Sequence, residues 1–142
     1  MARFAPNGLD LVLALLRDGL PATVTVMTRI PDGVPDVVPL VVVRQVSGTS
    51  RVPEFWDRPV INIQNWVPPD PAGDTSRVGS DLADQIRRVL WSAWRTQKTT
   101  PAGHIVKLAE LSAPMEIGDP DLIHYGRFQA SYQLTIRAAR AA

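Results

Sequence analysis

Polarity alternates almost without a break along residues 127–138, RFQASYQLTIRA. Phe128, Ala130, Tyr132, Leu134 and Ile136 fall on one face of an extended chain; Arg127, Gln129, Ser131, Gln133, Thr135 and Arg137 fall on the other. Strand side chains alternate with period two, so this pattern predicts a half-buried strand with one apolar and one wet row. A shorter alternation over residues 23–31 sets Val24, Val26 and Ile30 against Thr25, Met27 and Arg29 and predicts another strand. β-branched residues at 40–48 predict a third, and VINIQNWV at 60–67 and residues 104–112 two more. Between the first two of these in chain order lies PDGVPDVVP, rich in turn formers, so residues 23–48 are expected to form an antiparallel hairpin.

Two stretches carry helical periodicity instead. Residues 8–18 form one, with Asn7 as a candidate N-cap and Gly19 as the stop; their apolar residues surround much of the axis, which predicts burial on more than one side. The longer one, residues 81–97, spaces Leu82, Ile86, Val89, Leu90, Ala93 and Trp94 along one face. Ser80 is its candidate N-cap, and Pro101 and Gly103 its stop. Asp81 and Asp84 near the start and Arg88, Arg95 and Lys98 near the end suit the helix dipole. The order α-β-β-β-α-β-β predicts an α+β fold: an antiparallel or mixed sheet of about five strands with two helices on one face. The apolar row of the last strand is expected beneath the long helix.

Composition narrows the function more than the fold. A chain of 142 residues with 45% apolar content fits a single domain, residues 1–142, able to bury a core. Fifteen basic and fourteen acidic residues leave a net charge of +1, which argues against a dedicated nucleic-acid binder. Without cysteine there are no disulfides, thiolate metal sites or cysteine nucleophiles, and an intracellular assembly site is the natural reading. The apolar run LVLALL at 11–16 is too short to span a bilayer and is followed by no small-residue cleavage site.

Candidate chemistry is sparse. His104 and His124 lack metal-ligand spacing, and no nucleophile elbow, Walker loop or dinucleotide fingerprint occurs. Asp119 and Asp121 flank Pro120 as turn formers and lack the oxygen-ligand repeat of a calcium loop. Gln, Ser and Thr on the last strand have no adjacent acid or base to move protons. No cofactor or metal is expected. Arg87, Arg88, Arg95, Lys98, Arg137 and Arg140 gather in two regions but without interleaved stacking aromatics. The tryptophans say more: Trp91 lies about 100° round the helix from Leu90. It marks either a protein contact or partial burial under a loop, and Trp56, beside Phe55 and Arg58, allows the same two readings.

Taken in order, several segments resemble the tail-terminator (tail-completion) proteins of long-tailed bacteriophages, particularly those of actinobacterial phages. They are GLDLVLALLRDGL, VTVMTRIP, VVVRQVSGTSR, DRPVINIQNWV, SDLADQIRRVLWSAW, AELSAPMEIGDPD and YGRFQASYQLTIRA, and the resemblance runs over roughly residues 9–137. Order and spacing carry the resemblance, since no segment is a catalytic signature. Two loops depart from the pattern, the proline-rich turn PDGVPDVVP and the long NWVPPDPAGDTSRVG.

The resemblance implies a non-enzymatic virion subunit, assembled in the host cytoplasm. It would form a ring, typically a hexamer, on the head-proximal end of the tail tube. Its partners would be the tube protein and a head-completion or neck protein, with only transient, non-specific contact with passing DNA and none with membrane. Leu13, Leu16, Phe55, Trp56, Arg58, Trp91 and Arg95 are the candidate interface residues. Arg127, Gln129, Ser131, Gln133, Thr135 and Arg137 would line a channel or face solvent. Their mostly uncharged groups would let DNA slide past without phosphate pairing. Another connector component or a tube subunit is the alternative, and a small hydrolase or ligand-binding domain the more distant one.

Overall fold

The structure, a computed structural model, describes residues 8–32, 38–49, 56–118 and 124–137. Its elements are α1 (Gly8–Gly19), β1 (Thr25–Met27), β2 (Leu40–Thr49), β3 (Trp56–Val67), α2 (Thr75–Arg95), β4 (His104–Glu116) and β5 (Gly126–Arg137). The strands form one mixed sheet in the order β1-β2-β3-β5-β4. Both helices pack on the same face, and the fold is α+β in the expected element order.

β5 sits in the sheet between β3 and β4, antiparallel to both. Its apolar row is buried throughout: Leu134 and Ile136 are fully enclosed and Phe128 is 8% exposed. That row, with Val41 and Val43 of β2 and Ile61 and Ile63 of β3, meets Leu11, Leu15 and Leu16 of α1 and Leu82, Ile86 and Leu90 of α2 in one core. Leu13 and Leu16, expected at a subunit interface, are 7% and 0% exposed and belong to this core. The apolar surplus of α1 is consumed by a sheet below and α2 beside it, which corrects that assignment.

The expected hairpin over residues 23–48 does not form. β1 is only three residues long and runs parallel to β2, pairing Thr25 with Leu40 and Met27 with Val42. A parallel pair needs a connection of about a dozen residues, which residues 28–39 supply. The predicted strand residue Ile30 lies beyond β1 and is 45% exposed.

Prolines and a glycine displaced three other boundaries. β3 begins at Trp56 rather than residue 60 and passes through buried Pro59. Having no N–H to give, Pro59 lies where the β3–β5 pairing lapses, between Asp57↔Ile136 and Val60↔Gln133. β4 extends to Glu116 through Pro114; it is an edge strand with register shifts at 105/107, 110/112 and 112/115, where a missing donor is tolerated.

α2 begins at Thr75, not after Ser80. A turn at 70–74 launches it: the Asp74 N–H donates to Asp70 Oδ2 (3.1 Å) and the Asp70 N–H to Thr75 Oγ1 (2.9 Å). Gly79 then lies inside the helix at its closest approach to β5, where a Cβ would stand 2.8 Å from the Phe128 ring. The helix closes at Arg95 with a Schellman arrangement, Gln97 N–H to the Trp94 carbonyl and Lys98 N–H to the Ala93 carbonyl, with Gln97 at φ 51°. Asn7, the Asp119–Asp121 turn, Arg140 and most of the PDGVPDVVP turn lie outside the described residues.

Candidate functional site

With α1 and α2 on one face of the sheet, the other face carries no helix among the described residues. Register and alternation place on it Arg127, Gln129, Ser131, Gln133, Thr135 and Arg137 of β5 and Trp56, Arg58, Val60, Asn62, Gln64 and Trp66 of β3. Leu40, Val42 and Arg44 of β2 and Lys107, Ala109, Ser112 and Met115 of β4 share it.

The two ends of this open face differ. At the Arg127 end, Leu40, Val42 and Trp66 form a second, small apolar cluster, flanked by half-buried Met27 and Val38. The Arg127 guanidinium stands over the Trp66 ring, 5.1 Å from its centroid, and donates to Gln64 Oε1 at 2.9 Å. Gln64 Nε2 donates in turn to Asn62 Oδ1 (3.3 Å), and Asn62 Nδ2 to Ser131 Oγ (3.3 Å). This ladder ties Arg127 and Ser131 of the β5 row to the amides of β3, and Gln129, Ser131, Gln133 and Thr135 are half-buried rather than fully wet. Asn62 and Gln64 were not singled out from the sequence, although VINIQNWV alternates and puts both on one face. Trp66 is 1% exposed and its indole N–H has no partner among the described residues.

At the opposite end, Arg58 covers the Trp56 ring with its guanidinium 5.0 Å from the centroid, and Trp56 pairs across strands with Arg137. Two candidate interface residues, Trp56 and Arg58, therefore stand beside the β5 row; Phe55 lies outside the described residues.

Trp91 and Arg95 are on α2, across the sheet from that end. The Trp91 ring meets Trp94 edge-on, with centroids 5.6 Å apart and planes at 81°. Trp94 is anchored by its indole N–H to the Val106 carbonyl (2.8 Å), whereas Trp91 stays half-buried against the core and Arg95 is exposed. A cleft of about 310 Å³ opens between the helices, lined by Leu15, Gly19, Val89 and Ala93 with Arg88 and Lys98 at its rim.

Charged groups on the helical side are arranged in pairs. Arg87 Nε and Nη2 donate to the two Glu110 oxygens at 2.8 Å, which raises the Arg87 pKa. Arg88 pairs with Asp84 at 2.9 Å. Lys98 donates to Asp18 and holds that carboxyl below the ordinary value. A second cleft, about 250 Å³, is lined by Ser80, Asp81, Asp84, Arg87, Ala113 and Pro114. Of its charged groups, Arg87 is paired with Glu110, which fastens α2 to β4, and Asp84 with Arg88 one turn along α2. Among the described residues no group of three or more His, Asp or Glu converges as a metal site, and no helix is long and apolar enough to cross a membrane.

A family model described as phage tail termination protein matches residues 5–141. The chain belongs to that family. The tail-termination match covers both helices, all five strands and both ends of the open face, and it identifies a structural component of the phage tail that associates with other tail components. A search of curated proteins returns no match.

Proposed function

We propose that this tail termination protein closes into a ring, typically of six copies, on the head-proximal end of the tail tube. There it stops tube polymerisation and presents the surface that the head side joins. The observation that carries this reading is the family match across residues 5–141. Its role is structural rather than enzymatic, with the tube protein and a head-completion protein as partners, and assembly in the host cytoplasm before incorporation into the virion.

Ring closure needs a heterologous interface, in which one patch of each subunit meets a different patch of the next. With Leu13 and Leu16 committed to the core, half-buried Trp91 with exposed Arg95, and the Trp56–Arg58 pair, are the remaining candidates among the described residues. They lie on opposite faces of the sheet and so form two different patches. The open sheet face is the candidate channel wall.

Mass measurement of the purified protein, alone and mixed with tail tubes, tests this directly. A discrete ring, or a ring that forms only at tube ends, is expected. Indefinite stacking would instead identify a tube subunit, and a monomer that never binds tube ends would overturn the proposal.

A further inference from the structure

The near-neutral net charge hides a sharp segregation. Strands β2 to β5 carry three described carboxylates, Asp57, Glu110 and Glu116, and register places all three on the helical face. Glu110 is bound to Arg87, Glu116 accepts from Ser76 Oγ at 2.8 Å, and Asp57 accepts from the Arg58 backbone N–H at 2.9 Å. The open face carries Arg44, Arg58, Lys107, Arg127 and Arg137 and, among the described residues, no carboxylate. Arg77, Arg87, Arg88 and Lys98 on the helical side all have ion-pair partners. Arg44, Arg58, Lys107 and Arg137 are exposed, and none forms a salt bridge among the described residues.

Three of these cations converge. Arg58 on β3 and Lys107 on β4 flank Thr135 of β5, about 10 Å apart across two strand spacings. Arg137 lies two residues further along β5, about 7 Å away, with His104 opposite it on β4. Between them stands the Thr135 hydroxyl, with the Gln133 amide next along the row and the Trp56 ring under Arg58 beside them.

From this juxtaposition we infer that the cationic end of the open face, Arg58, Lys107 and Arg137, binds the phosphodiester backbone of duplex DNA without regard to sequence, with Arg44 further along the face opposite Asn62. Guanidinium, ammonium and hydroxyl donors, on a face that carries no carboxylate among the described residues, are the groups that contact phosphates. An acidic protein surface is the weaker fit. Interface cores are depleted of charge and built on apolar anchors, whereas Leu40, Val42 and Trp66 are buried at the other end of this face, exposed Met115 lies towards that end too, and half-buried Trp56 is covered by Arg58. Contact of this kind is weak, reversible and salt-dependent. It replaces the expectation of a face indifferent to DNA, because cations from β2, β3 and β4 surround the uncharged part of the β5 row. The inference does not rest on ring formation and concerns the isolated protein.

Fluorescence anisotropy with a labelled duplex of arbitrary sequence, titrated across about 50 to 200 mM salt, tests it. Wild-type protein is expected to bind at low salt with log K falling linearly against log salt. Arg58→Gln/Lys107→Gln/Arg137→Gln should flatten that slope by about 0.9 for each phosphate no longer neutralised and weaken low-salt binding about tenfold. The charge-matched control Arg29→Gln/Arg77→Gln/Arg88→Gln should bind nearly as wild type. Gln133→Glu, which puts a carboxylate on the face without touching a cation, should also weaken binding, with circular dichroism confirming the fold of each variant. Equal loss in the control would overturn the inference, as would absence of low-salt binding by wild type. Binding to polyglutamate but not to the duplex would overturn it in favour of an acidic protein. None of these outcomes bears on tube-end capping, which the mass measurement reads separately.

Discussion

Replacing Tyr132 by phenylalanine removes one oxygen from the middle of the core. The side chain is 1% exposed, and its hydroxyl has no hydrogen-bond partner among the described residues. Burial pushes its pKa up to about 12; the Glu110 charge adds to the rise, Arg87 opposes it and Asp84 adds a little. The neutral phenol is therefore the form the fold accepts, and in the unfolded chain the group titrates near 10. Between these values the unfolded chain loses the proton first, so the contribution is fully present below about pH 10 and falls as pH rises towards 12. At 1.36 kcal/mol per pH unit, a shift of about two units corresponds to about 3 kcal/mol of stability lost across that window.

Tyr132→Phe should abolish that component. At neutral pH it should cost less than about 1 kcal/mol or stabilise, because an unsatisfied buried hydroxyl carries a penalty of about 1–3 kcal/mol that the variant escapes. Urea unfolding followed by far-UV circular dichroism, at about pH 8 and at about pH 11.5, measures both quantities. Every other titrating group is common to the two proteins, so the difference of differences belongs to Tyr132. An equal alkaline loss in wild type and variant would refute the assignment. So would a neutral-pH loss above about 2 kcal/mol, which would mean the hydroxyl has a strong partner.

Two further perturbations probe how β5 is held under α2. Leu134→Ala empties a site with no solvent exposure and should cost about 2–5 kcal/mol in chemical denaturation; a loss below about 1 kcal/mol would mean the core collapses into the gap. Gly79→Ala gains about 1 kcal/mol of helix propensity, but its Cβ would lie 2.8 and 2.9 Å from two Phe128 ring carbons and 3.4 Å from Val67. Overpacking of about 1–3 kcal/mol should win. Adding Phe128→Leu should relieve part of that loss, and a thermal midpoint unchanged by Gly79→Ala alone would show that α2 can lift off the sheet at no cost.

Local periodicity exposed what depends on neighbours in sequence. The β5 row, the apolar stripe of α2 and the stop at Gly19 were legible because period two, period 3.6 and glycine each leave a local trace. What depended on partners far along the chain was not. Alternation at 23–31 shows a strand but not its direction, and a parallel partner reached through residues 28–39 leaves no signature that a wide hairpin would not also leave. Pro59 reads as a boundary because a proline in an inner strand is rare, and only the lapse in β3–β5 pairing accommodates it. Gly79 reads as a loop residue until Phe128 lies beneath it. The most consequential case is charge: Arg44, Arg58, Lys107 and Arg137 come from four strands, and only the order β2-β3-β5-β4 puts them on one face. Balanced totals cannot reveal where the two signs are kept.

That separation bears on how such a subunit can assemble. Both outer strands are poor templates for a neighbour's backbone. β1 offers three residues, and β4 is broken by three register shifts and Pro114. Irregular edges of this kind suppress indefinite strand addition, which a protein that ends a polymer has particular reason to avoid. In the proposed ring, contacts between copies would then be left to side chains. On the helical side most cations are already held in ion pairs, and exposed Arg95 beside half-buried Trp91 is the best-placed group to meet a neighbour. On the open side the exposed cations repel their like, so two such faces resist pairing with each other and remain available to a polyanion. One sheet thus separates a face whose cations are mostly held in ion pairs from a face whose exposed cations form no salt bridge among the described residues, and the helices decide which is which by covering only one of them.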